Sequence, residues 1–115
     1  MVSKLHPVLS IRLYRDEKCF GAGIAELLRQ VEQHHSLRGA ALSMGMAYSK
    51  AWTVMRRCEE VLGFPLVIYT TGGRHGGGAS LTPQATALLA AYDSYCQKIV
   101  AVSEELFQEA FQEFL

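Results

Sequence analysis

Apolar and polar positions alternate imperfectly over Val8–Tyr14, a β-rich run that predicts a strand. Arg15–Lys18 is polar and turn-like, Cys19-Phe20 starts a short return strand, and Gly21-Ala-Gly23 breaks it. From Gly23 the period lengthens. Ile24, Leu27, Leu28 and Val31 fall at i, i+3, i+4 and i+7, the stripe of an amphipathic helix running to about His34. Ser36 suits the N-cap of a short helix from Leu37 to about Ser43, whose Gly39, Ala40 and Ala41 let another helix approach closely. Met44-Gly45-Met46 interrupts. A longer helix follows from about Ala47 to Leu62, with Gly63 as C-cap. Ala51, Met55, Cys58 and Leu62 form its core face, and Ser49, Lys50, Thr53, Arg56, Arg57 and Glu60 lie on the other side.

Phe64-Pro65 ends that helix. Leu66–Thr70 is a β-branched and aromatic strand, Thr71–Gly78 a glycine-rich turn, and Ala79–Leu81 a short return strand. Thr82-Pro83 places an N-cap and an N1 proline at the start of a last helix that could run nearly to Leu115. A helix of about 33 residues spans about 50 Å, longer than a domain of this size is wide. Its second half is expected to project, with an apolar stripe that needs a cover.

The chain has 115 residues, half of them hydrophobic, and no net charge. That suits one globular domain with its own core and excludes a disordered chain. No run approaches the length of a membrane span, and Met1–His6 holds no apolar stretch of signal-peptide length, so a cytoplasmic protein is expected. The zero hides an asymmetry: residues 1–35 carry +1, residues 36–81 carry +3 and residues 82–115 carry −4. Cys19, Cys58 and Cys96 are odd in number and widely spaced, which speaks against a disulfide framework. His6, His34, His35 and His75 lack partners at ligand spacing, so no metal site and no cofactor is expected. The glycine-rich stretch lacks the Gly-Lys-Ser/Thr ending of a phosphate-binding loop. No nucleophile–base set has an interpretable spacing, and nothing asks for an enzyme.

Short helix, glycine-containing turn and basic-faced helix make a helix-turn-helix, and the hairpin after it makes a winged one. The expected fold is mainly α with a small β part: a winged helix-turn-helix over residues 1–81, with N-terminal strands, and a long dimerisation helix over 82–115. The helix at about 47–62 would enter the major groove of duplex DNA, with the wing, 70–81, on the backbone or minor groove. Short Ser49 and Thr53 can approach base edges, and Lys50, Arg56 and Arg57 can neutralise phosphates. One arginine of the consecutive pair could instead bond Glu60. Ser36, Arg38, Tyr48, Thr71, Arg74 and His75 complete the candidate DNA surface. Trp52 could touch DNA, but with Tyr48 one turn earlier it is expected to pack at the edge of the core. Leu88, Tyr92, Tyr95, Ile99, Val102, Leu106 and Phe111 line the last helix as the candidate homodimer face.

The strings Gly45-Met-Ala-Tyr-Ser-Lys-Ala-Trp52, Leu62-Gly-Phe-Pro-Leu-Val67 and Thr71-Gly-Gly-Arg-His-Gly-Gly-Gly-Ala-Ser-Leu-Thr-Pro83 resemble the N-terminal DNA-binding domain of ModE-type molybdate-responsive regulators. That domain is related to the winged helix of LysR-type regulators. The resemblance covers about residues 9–96. It implies a dimeric transcription factor whose second helix-turn-helix helix reads the major groove and whose terminal helix contributes to the dimer. The sequence departs from the pattern at Ala47, where members usually offer Ser, at Ser49, usually basic, and at Gly39, usually Ala. The full-length regulators carry C-terminal oxyanion-binding modules, for which a chain ending at Leu115 has no room. A stand-alone DNA-binding relative is therefore expected, with no small-molecule effector evident and no membrane partner. The alternative is an adaptor that keeps the winged fold and docks a protein through the long helix.

Overall fold

The computed structural model describes residues 3–71 and 77–115. Two antiparallel hairpins and four helices follow one another along the chain: β1 (Leu13–Arg15), β2 (Glu17–Phe20), α1 (Ala22–His34), α2 (Leu37–Ser43), α3 (Tyr48–Leu62), β3 (Val67–Thr70), β4 (Gly78–Leu81) and α4 (Pro83–Ala110). This is a winged helix-turn-helix with a long C-terminal helix.

The caps sit where the side chains predict them. Ser36 Oγ accepts from Gly39 N at 3.0 Å, and Gly63 closes α3 with φ +87°. Thr82 Oγ1 accepts from Ala85 N at 3.0 Å and donates to Pro65 O at 2.8 Å, which ties the start of α4 to the base of the wing. Gly45 takes φ +65° in the turn between α2 and α3, and Ala47 starts α3 with no side-chain cap.

Core formation follows from the stripes. Phe20, Leu27, Leu28, Val31, Met55 and Leu66 are its largest fully buried side chains. Ala40, Ala41 and Ala51 are equally buried, and their small size lets α1, α2 and α3 close on one another. Phe20 meets Tyr92 edge-on, with centroids 5.0 Å apart, so β2 and α4 share one core.

Four expectations need correction. The first strand does not extend over Val8–Tyr14; only Leu13–Arg15 pairs, because the return strand has just four residues to offer. Val8 is 85% exposed. The first turn is tighter than Arg15–Lys18: Asp16 alone turns the chain, with φ +65°, and Glu17 already pairs with Arg15. The last α-helix ends at Ala110 and tightens into a 3₁₀ turn, Gln112–Phe114, with Phe107, Phe111 and Phe114 stacked in sequence. Finally, Tyr92 does not stand on a free face. It is buried, and its hydroxyl donates to Ile11 O at 2.7 Å. Leu88 also leans on the core.

The N-terminal segment runs along the projecting half of α4. Pro7 lines a groove with Ile99, Val102 and Leu106, and Ser3–His6 border Glu104, Gln108 and Phe114. Among the described residues no helix is long and apolar enough to cross a membrane.

Candidate nucleic-acid interface

The core residues of α3 are Ala51, Met55 and Cys58. At 100° per residue, Ser49, Thr53 and Arg56 then point away from the core. All three are exposed. One flank of the helix presents Tyr48 and Trp52 towards the wing; the other carries Lys50 and Arg57, of which Arg57 reaches Glu17 of β2.

The wing is anchored from several sides. Glu59 accepts from Leu66 N at 2.7 Å and from Val67 N at 3.3 Å, joining the base of β3 to α3. Ala79 N donates to His35 O at 2.9 Å, joining β4 to the end of α1. Arg15 donates to Leu62 O at 3.0 Å and caps the far end of α3. Helix α3 and the wing thus rest on a fixed frame, as precise positioning of side chains requires.

A cleft of about 340 Å³ opens between α2, α3 and the wing. Ser36, Arg38, Tyr48 and Thr71, four residues of the candidate DNA surface, line it. Trp52 and Tyr69 also line it. Trp52 is 44% exposed, and Arg56 lies over its ring at 5.5 Å. The Arg38 guanidinium stacks over Tyr48 at 4.3 Å. No carboxylate pairs with Arg38 among the described residues. Burial pushes the Tyr69 phenol up to about 12, so near neutral pH it is an uncharged hydroxyl.

The consecutive arginines differ. Arg57 makes a bidentate pair with Glu17, Nε at 2.6 Å and Nη2 at 2.9 Å. The hydrogen bond holds Glu17 below the usual carboxylate range and raises Arg57. Arg56 stands 3.7 Å from Glu59. The expected partner, Glu60, makes no ion pair among the described residues. Sequence reasoning missed Glu17 and Tyr69 as neighbours of this surface. Arg74 and His75 lie outside the described residues. Cys58 sits on the core face, and desolvation pushes its thiol up to about 12, which leaves it protonated.

On α4, Tyr95, Val102, Leu106 and Phe111 are exposed and Ile99 is half-buried. Asp93 on the same helix binds Arg29 of α1 at 2.6 Å.

Comparison with known proteins agrees with this architecture. Residues 25–86 match the family of bacterial regulatory helix-turn-helix proteins, lysR family. The molybdenum-pterin-binding protein MopB of Rhodobacter capsulatus is 38% identical over 72 residues, 63% of this chain and 27% of that protein. The transcriptional regulator ModE of Haemophilus influenzae is 36% identical over 67 residues, 58% of this chain and 26% of that protein. The DNA-binding transcriptional dual regulator ModE of Escherichia coli is 32% identical over 71 residues, 62% of this chain and 27% of that protein. The chain spans about a quarter of the length of these relatives. With more than half of its residues matched and the helix-turn-helix at their centre, the chain belongs to the lysR family of bacterial regulatory helix-turn-helix proteins.

Proposed function

We propose that this chain binds duplex DNA as a homodimer and regulates transcription, with α3 in the major groove and the β3–β4 wing on the backbone or minor groove. The reading rests first on the Arg38–Tyr48 stack beside the exposed face of α3. A cation oriented by a ring and left without a carboxylate is suited to an anion, and phosphate supplies one. Lys50 and Arg56 serve the same backbone, while Ser49 and Thr53 face the base edges. Ser36 and Thr71 add hydroxyls, and Arg57 joins once released from Glu17. Arg74 and His75 are assigned to the backbone from their place in the wing sequence alone. Anisotropy of a labelled duplex should report binding that tightens steeply as salt falls. No binding at low salt would contradict the reading. A relative named for molybdenum-pterin binding makes promoters of molybdenum-related genes natural first targets.

The winged reader occupies residues 1–81, and residues 82–115 serve dimerisation. Tyr95, Ile99, Val102, Leu106 and Phe111 form the dimer stripe; Leu88 and Tyr92 support it from within the core. Two copies joined there would present two α3 helices to one DNA face, as half-site recognition requires. Sedimentation equilibrium is expected to report about twice the 12.7 kDa chain mass. Leu106→Glu should shift the chain towards monomer while helix content stays constant. A monomeric wild type would contradict the dimer.

A further inference from the structure

A line of cations borders α3 on the side away from the wing. Lys50 and Arg57 stand on that flank, seven residues and about two turns apart. Lys18 of β2 lies beside Arg57, sharing a shallow depression with it and with Thr53 and Val54. The stem of Lys18 runs over Gly21: a Cβ there would stand 3.8 Å from Lys18 Cε and 3.6 Å from Arg12 Cγ. Neither Lys18 nor Lys50 has a carboxylate partner among the described residues. Glu17 interrupts the line, with both of its oxygens on Arg57, and Glu60, one turn further along α3, is a second acid that acts on Arg57.

A helix in the major groove lies between two phosphate ridges. The wing, Arg38 and the aromatic cleft stand towards one. Lys50, Lys18 and Arg57 stand towards the other. We propose that the β1–β2 hairpin is a second DNA-contacting element, in which Lys18 and Arg57 take phosphodiester groups on the ridge opposite the wing and Glu17 competes with that phosphate for Arg57. The chemistry is matched: a guanidinium fork accepts carboxylate and phosphate in the same bidentate geometry. The exchange is cheap because the pair is solvated, with Arg57 63% and Glu17 45% exposed. In free protein Glu17 holds Arg57 oriented; on DNA it becomes a like charge beside the backbone.

This inference rests on the DNA-binding reading, and one titration separates the two. The full chain and its variants are titrated against a labelled random-sequence duplex over a salt series. Lys18→Ala is expected to weaken binding about three- to tenfold and make the salt slope shallower by about 0.9. Glu17→Gln is expected to tighten binding by a similar factor and steepen the slope, and adding Arg57→Ala should cancel that gain. Glu17→Ala repeats the comparison without a Gln–Arg57 hydrogen bond, and thermal unfolding checks each fold. If Arg38→Ala weakens binding while the Lys18 and Glu17 variants match wild type, the hairpin role is wrong and DNA binding stands. If the Glu17 variants bind more weakly, Glu17 does not compete for Arg57. If wild type fails to bind at low salt, both readings fall.

Discussion

Phe20→Ala is expected to destabilise the domain by about 3–5 kcal/mol, the usual cost of emptying a buried aromatic site. Phe20 is fully buried and packs edge-on against Tyr92 at 5.0 Å. Its loss would leave a void where β2, α1 and α4 meet, and the aromatic pair would lose its geometry-dependent attraction as well. Domains of this kind have only about 5–15 kcal/mol of total stability, so the variant would approach unfolding at physiological temperature. Phe20→Leu keeps much of the volume and should cost about 1.5 kcal/mol or less. Urea unfolding followed by circular dichroism measures both. A cost below about 1 kcal/mol for the alanine variant would mean that the hairpin and α4 do not share a core. Since Phe20 is fully buried, the variant's affinity for DNA should fall only as its folded fraction falls.

The second large effect concerns affinity rather than stability. Arg38→Ala combined with Lys50→Ala is expected to weaken duplex binding on the order of 50-fold at low salt and to reduce the salt slope by about 1.8, since each phosphate contact contributes about 0.9. Both side chains are exposed and neither holds a carboxylate, so the melting temperature should stay near that of wild type. The two sites are on different helices with no shared partner, which makes the effects close to additive. Arg38→Lys keeps the charge but loses the planar stack on Tyr48 and should fall between wild type and alanine. Anisotropy titrations over a salt series measure all three. An unchanged slope in the double variant would place the phosphates elsewhere.

The helical frame was legible because each helix carries a stripe and a cap. Ile24, Leu27, Leu28 and Val31 announce α1, Ser36 and Thr82-Pro83 mark two starts, and Gly63 marks a stop. All of these act within a turn or two of sequence. The β1–β2 hairpin was less legible, because a single residue, Asp16, makes its turn and the preceding Val8–Arg12 finds no strand to pair with. On the candidate interface, the exposed side of α3 followed from its 3.6-residue period. Arg38 on Tyr48, ten residues apart, and Glu17 on Arg57, forty apart, did not. Such pairings leave no periodic trace; they depend on how α2 and β2 come to lie against α3. For the same reason the stripe on α4 does not distinguish Tyr92, which packs against Phe20 and bonds Ile11 O, from its exposed neighbours.

Selecting bound fragments from a genomic library and sequencing them tests whether this chain reads duplex DNA as a dimer. A dimeric reader should enrich a two-fold symmetric motif whose half-sites lie one helical turn, or a multiple of it, apart. Failure to enrich any motif at low salt, where a phosphate-gripping protein binds most tightly, would contradict it and turn attention to a protein partner on the acidic last helix.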